Sequence, residues 1–149
     1  MLIIAKTDPR IPQATVLLQQ SHALMQELFT PDQNSYLDID ELCAPHIQFF
    51  TARDKQVTVG TAALASFDGY GEVKSMFVAP NARGIGVAQA LLRQVEDAAR
   101  DAGLPLLRLE TGDRLLAACH LYRRFGFQDR GPFGDYTENG ASIFMEKTL

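Results

Sequence analysis

The chain has 149 residues, 46% of them apolar and 21% charged, with a net charge of −4. Both proportions are normal for a soluble globular protein, and the length suits one domain, residues 1–149, with a real hydrophobic core. No basic cluster is present to bind phosphates, which argues against a nucleic-acid partner, and no apolar stretch is long enough to cross a bilayer.

The N-terminus, MLIIAKTDPR, is a short apolar run without the basic start, long apolar stretch and small-residue cleavage site of a secretory signal. We therefore expect a cytoplasmic chain with no membrane partner. Leu2–Ala5 predicts a first strand. Asp8, Pro9 and Pro12 mark a helix start, with the Asp as a cap, and Val16, Leu17, Leu24, Met25 and Leu28 recur near helical spacing. Thr30-Pro31-Asp32 stops that helix, and Asp38–Cys43 reads as one more helical turn. Between Ile11 and Ala52 lie five acids, Glu27, Asp32, Asp38, Asp40 and Glu41, and no Lys or Arg. Such a segment is either a solvated surface or an attraction for a cationic acceptor, with Asp38, Asp40 and Glu41 the candidates.

Ile47–Ala52, Val57–Phe67 and Glu72–Val78 predict a meander of three strands joined by the turns at 53–56 and 68–71. Ile85, Ala88, Leu91, Leu92, Val95 and Ala99 form an apolar stripe of period 3.6, so residues 85–101 read as a helix, stopped by Gly103. Leu106–Thr111 predicts a buried strand and Leu115–Phe125 a helix closed by Gly126. Phe127–Arg130 and Ser142–Lys147 predict final strands around the glycine-rich loop Gly131–Gly140. Antiparallel strands followed by a β–α–β crossover imply a mixed sheet in an α+β arrangement.

Cys43 and Cys119 are far apart and in no metal-type spacing, so reduced thiols are expected, with a single disulfide as the alternative. His22, His46 and His120 share no metal-binding face, and no metal is expected.

The chemistry concentrates at Arg83-Gly84-Ile85-Gly86-Val87-Ala88, between a strand and a helix. A helix N-terminus presents unpaired N–H groups and a positive dipole end, and glycine lets the backbone approach a phosphate closely. Arg83 adds a permanent charge. The Walker ending is missing, and the dinucleotide fingerprint fails at its third glycine, leaving a different phosphate ligand or a plain tight turn. The R-x-x-G-x-A pattern of Arg83–Ala88, the preceding Phe77-Val78-Ala79-Pro80 and the later Leu121–Phe127 (LYRRFGF) resemble the GNAT superfamily of N-acetyltransferases. The resemblance spans roughly residues 47–147. Leu109–Arg114 (LETGDR) and Gly131–Tyr136 (GPFGDY) resemble small single-domain bacterial members.

That resemblance implies an acyl-CoA N-acyltransferase fold: a mixed, mostly antiparallel central sheet of six to seven strands with about four helices. It implies transfer of an acetyl group from acetyl-CoA to a primary amine of a small or amino-acid-like molecule, directly in a ternary complex. Arg83, Gly84, Ile85, Gly86, Val87 and Ala88 would hold the pyrophosphate, and Met76, Phe77 and Val78 the pantetheine arm. Tyr122 matches the tyrosine that protonates the leaving thiolate. Glu72, which would share a strand face with Lys74, Met76 and Val78 unless a bulge intervenes, is one candidate base, and Glu110 among leucines is its rival. The family often carries an asparagine where this chain has Leu115. Asp135 and Tyr136 are candidates to close over the site, His120 is expected at the surface, and the resemblance implies pairing of two copies, with an edge strand near the C-terminus as the candidate contact. A non-catalytic acyl-CoA-binding module is the alternative function.

Overall fold

The computed structural model describes residues 1–149. In chain order it comprises β1 (Leu2–Lys6), α1 (Pro12–Leu28), β2 (Ile47–Asp54), β3 (Val57–Phe67), β4 (Tyr70–Val78), α2 (Val87–Asp101), β5 (Leu106–Gly112), α3 (Leu116–Arg124), β6 (Gln128–Arg130) and β7 (Ser142–Thr148). Short 3₁₀ turns lie at Pro31–Gln33, Glu41–Cys43 and Pro80–Ala82. There are thus three α-helices rather than about four, because the segment after α1 forms only isolated turns. The seven strands make one sheet in the order β1-β2-β3-β4-β5-β7-β6. Only β4 and β5 run parallel, as their connection through α2 requires.

The two faces follow from strand alternation. Phe49 and Ala63 pack with Ala14 and Leu18 of α1 on one face. Their neighbours Phe50 and Ala62 belong to the larger cluster containing Val87, Leu91, Leu92 and Val95 of α2. Burying each of those large side chains contributes about 1.5–3 kcal/mol. Gly60 lets α2 come close: a Cβ there would meet Val87 Cγ1 at 2.7 Å and Leu91 Cδ1 at 2.9 Å.

Three local expectations are corrected. Helix α2 starts at Val87, and Ile85 is 54% exposed, because Gly84 and Gly86 take left-handed φ angles that keep the chain out of the helix until then. Asp8 does not cap α1; its carboxylate accepts the Arg10 N–H, and Ile11 is the N-cap. Val16 lies outside the buried stripe, which runs through Ala14, Leu17 and Leu18. At the C-terminal side of the sheet the edge is the three-residue β6, while β7 lies between β5 and β6. No helix is long and apolar enough to cross a membrane, and both cysteines are free.

Candidate active site

The site grows from a break in strand pairing. β4 and β5 pair only through Gly71–Val73 and Leu107–Leu109. On the other side of β4, the register with β3 shifts between Thr61 and Ala63, so that Thr61 faces Phe77 while Ala63 faces Lys74. One extra residue is therefore accommodated around Ser75, whose φ of 54° is left-handed. Thr61 holds this bulge by donating its hydroxyl to the Ser75 carbonyl at 2.8 Å. Beyond the bulge β4 no longer pairs with β5, and the edge of Met76, Phe77 and Val78 facing β5 lies open. The bulge also breaks the alternation: Glu72 and Lys74 share the α1 face with their partners Ala65 and Ala63, whereas Val78 is opposite Gly60 on the α2 face.

At the mouth of this splay stands the N-terminus of α2. Gly84 has φ 84° and Gly86 φ 89°. Gly86 is the N-cap and no side chain caps the helix, so the first-turn N–H groups, including those of Val87 and Ala88, have no acceptor within it. Arg83 and Ile85 are exposed beside them. A Cβ on Gly84 would meet nothing within 4 Å, so the space in front of the loop is free.

Inside the splay lies a cavity of about 120 Å³, whose lining includes Met25, Phe29, Lys74, Ser75, Met76, Glu110, Leu115 and Tyr122. Gly112 at the end of β5 lets Phe29 approach; any Cβ there would run into the ring. Tyr122 is buried, with its ring edge-on to Phe127 at 5.9 Å. Burial, then the neighbouring Cys119, pushes its phenol well above the usual range. Glu110 Oε2 accepts the Ser142 hydroxyl at 2.6 Å. Its pKa is raised, chiefly by burial; the Ser142 bond and Lys74 oppose the rise, and Glu72 adds to it.

Glu72 lines a second, adjoining cavity of about 680 Å³, together with Glu41, His46, Phe67, Tyr70, Asp135 and Tyr136. Lys74 and Ser35 are common to both cavities. Glu72 is 5% exposed and its Oε2 is doubly engaged: Tyr136 donates to it at 2.5 Å and Lys74 Nζ at 3.2 Å. Lys74 also donates to the Tyr136 hydroxyl at 2.7 Å and to the Ser35 carbonyl at 3.3 Å. The Tyr136 pKa is raised by burial first, then by the charge of Glu72 and the hydrogen bond to it. The structure thus brings Glu110 and Tyr122 to one cavity and puts Glu72 in its neighbour.

The acidic segment is partly committed. Asp38 and Glu41 cap one another's backbone N–H groups at 2.7 and 3.0 Å, and Asp40 pairs with Arg10 at 2.9 Å. His120 is exposed. Sequence reasoning missed three residues. Lys74 carried no signal beyond its alternation with Glu72. Asn34, which ties the end of α1 by donating to the carbonyls of Met25, Phe29 and Thr30, looked like a plain loop residue. Asn139 was marked only by the Asn-Gly turn dipeptide. No group of three or more His, Cys, Asp or Glu side chains is arranged to hold a metal.

A mixed sheet splayed at its one parallel pair, with an uncapped helix N-terminus at the opening, defines the acyl-CoA N-acyltransferase fold. The acetyltransferase (GNAT) family matches residues 17–127. The IAA acetyltransferase of Azospirillum brasilense is 43% identical over 98% of this chain and 97% of its own length. A Klebsiella pneumoniae protein assigned as an acyl-CoA N-acyltransferase superposes with a TM-score of 0.84 at 31% identity, covering 100% and 98% of the two chains. PaiA N-acetyltransferase of Thermoplasma acidophilum, solved with coenzyme A, superposes at 0.75 with 14% identity over 100% and 99%. The chain belongs to the GNAT family of acetyltransferases and is an N-acetyltransferase, which displaces the non-catalytic alternative.

Proposed function

We propose that this enzyme transfers the acetyl group of acetyl-CoA directly to a primary amine of a small or amino-acid-like acceptor. The observation that carries the reading is the coincidence of an uncapped α2 N-terminus, two left-handed glycines and an unpaired β4 edge along one opening. The coenzyme A complex of the Thermoplasma relative supports it.

Acetyl-CoA supplies an activated thioester carbonyl and a thiolate leaving group. The N–H groups at the start of α2, with Arg83, bind the diphosphate by dipole, hydrogen bonding and charge. The open edge at Met76, Phe77 and Val78 pairs with the pantetheine amides, and an N–H there stabilises charge gathering on the carbonyl oxygen. Glu110 takes the proton from the attacking amine, and Tyr122 gives one to the departing sulfur as the carbon–sulfur bond breaks and the carbon–nitrogen bond forms. Glu110 suits the base better than Glu72, because it lines the same cavity as Tyr122, whereas Glu72 lines the neighbouring one and its Oε2 is held by both Tyr136 and Lys74. Cys119 is buried, with its thiol pKa raised by that burial, which favours direct transfer over an acyl-cysteine.

Calorimetric titration with coenzyme A, and thiol release from acetyl-CoA with a panel of primary amines, test this. Coenzyme A binding together with amine-dependent thiol release is expected. Binding without release on any amine removes the proposed acceptor class, and no binding removes the site.

A further inference from the structure

Strand β7 opens at Ser142, opposite Gly112 of β5, and its hydroxyl reaches back to Glu110. In the turn before it, the backbone N–H groups of Ala141 and Ser142 both donate to Asn139 Oδ1, at 2.9 and 2.8 Å. Two donors on one side fix which way round the amide sits, because only its oxygen can accept them. The Nδ2 group is thereby turned toward Ser142 Oγ and donates to it at 2.9 Å. The Ser142 oxygen already serves as acceptor, so its single proton is directed at Glu110 Oε2, 2.6 Å away. A carboxylate oxygen accepts that proton more strongly than a neutral carboxyl does, so the Ser142 bond favours the charged form of Glu110. Oε1 receives no protein hydrogen bond and is the oxygen left for an incoming amine.

We propose that Asn139 and Ser142 are positioning residues that hold Glu110 as a carboxylate with one oxygen committed and the other free, so that this turn sets the lower pH limit of the enzyme. The inference rests on Glu110 being the base. Of the other groups around that carboxyl, only Lys74 on β4 acts in the same direction, and Glu72 on β4 opposes it. Tyr122 of α3 and Tyr136 of the 131–140 loop are neutral phenols. Arg108, two residues back on β5, is committed to Glu146 at 2.7 Å. Helix α1 contributes Ser21 and Met25 to the cavity, with Phe29 just after its end, and no charge.

Ser142→Ala removes the hydroxyl and keeps the backbone bond to Asn139; Ser142→Thr keeps a hydroxyl. The readout is a pH titration of the Glu110 side-chain carboxyl by NMR on protein labelled with ¹³C at glutamate carboxyls, with the signal assigned by its absence in Glu110→Gln. A hydrogen bond to a charged group of ordinary strength predicts that Ser142→Ala moves the midpoint up by about one to two pH units. At a pH below both midpoints that leaves about ten- to a hundred-fold less carboxylate, and Ser142→Thr restores the parent midpoint. An unmoved midpoint in Ser142→Ala overturns the inference. The reading beneath it fails separately: Glu110→Gln releasing thiol from acetyl-CoA with mixed primary amines as fast as the parent would show that Glu110 is not the base.

Discussion

Tyr122 and Glu110 enclose the proposed chemistry from two elements, α3 and β5, and burial acts on both in the same direction. It raises both pKa values, keeping the phenol protonated as an acid and making the carboxylate a stronger base. Tyr122→Phe should keep coenzyme A affinity and lower kcat by about 10²–10⁴-fold, as loss of a general acid does, read by calorimetry beside steady-state thiol release. For Glu110 the linkage has a definite sign. Its carboxyl pKa is higher in the folded state than in the unfolded state, so stability falls as pH rises through these values. At neutral pH the buried charge is a cost. Glu110→Gln should therefore melt at a higher temperature than the parent at pH 7, with the gap closing as pH falls below the ordinary carboxylate range, while turnover drops. A calorimetric scan at both pH values checks it.

The elements matter through their ends and interruptions. The bulge at Ser75 frees the β4 edge, and the glycines before α2 free its first amides. A side chain at Gly86 meets a left-handed φ of 89°, which for a branched residue costs about 1–2 kcal/mol, and it stands beside the unpaired amides. Gly86→Val should weaken coenzyme A binding at least tenfold, on the order of 1.4 kcal/mol. Unchanged affinity in the same titration would place the diphosphate elsewhere. Most elements were legible in the sequence. The buried stripe of Leu91, Leu92, Val95 and Ala99 and the 11-residue strand Val57–Phe67 fall where periodicity and turn residues put them. The start of α2 was misread because Ile85 continues the apolar spacing, while the neighbouring glycines take φ angles that no spacing rule contains.

Across the whole molecule, ion pairs tie together the three neighbouring strands that close the C-terminal side of the sheet. Glu146 of β7 accepts Arg108 of β5 at 2.7 Å and Arg130 of β6 at 2.6 Å, and those partners, Arg108 first, lower its pKa. Here the sign is the reverse of Glu110's. The folded pKa lies below the unfolded value, so this stability is present above the ordinary carboxylate range and lost as pH falls through the folded pKa. Glu146→Gln should unfold at lower urea concentration than the parent at pH 7, with the difference fading in acid. An equal gap at both pH values would mean that the pairs contribute packing only.

By itself the sequence determined the alternation of strands and helices, the glycine loop before α2 and the tyrosine after β5, since each is written in residues close together along the chain. Only the tertiary structure decided which carboxylate shares a cavity with Tyr122. Glu72 and Glu110 look alike in one dimension, each a lone acid in a strand. They are told apart by partners far off in the chain: Tyr136, 64 residues from Glu72, and Ser142, 32 residues from Glu110. Hydrogen bonds over such separations exist only once the sheet has closed, because strand order and register, not local propensity, bring their donors within reach.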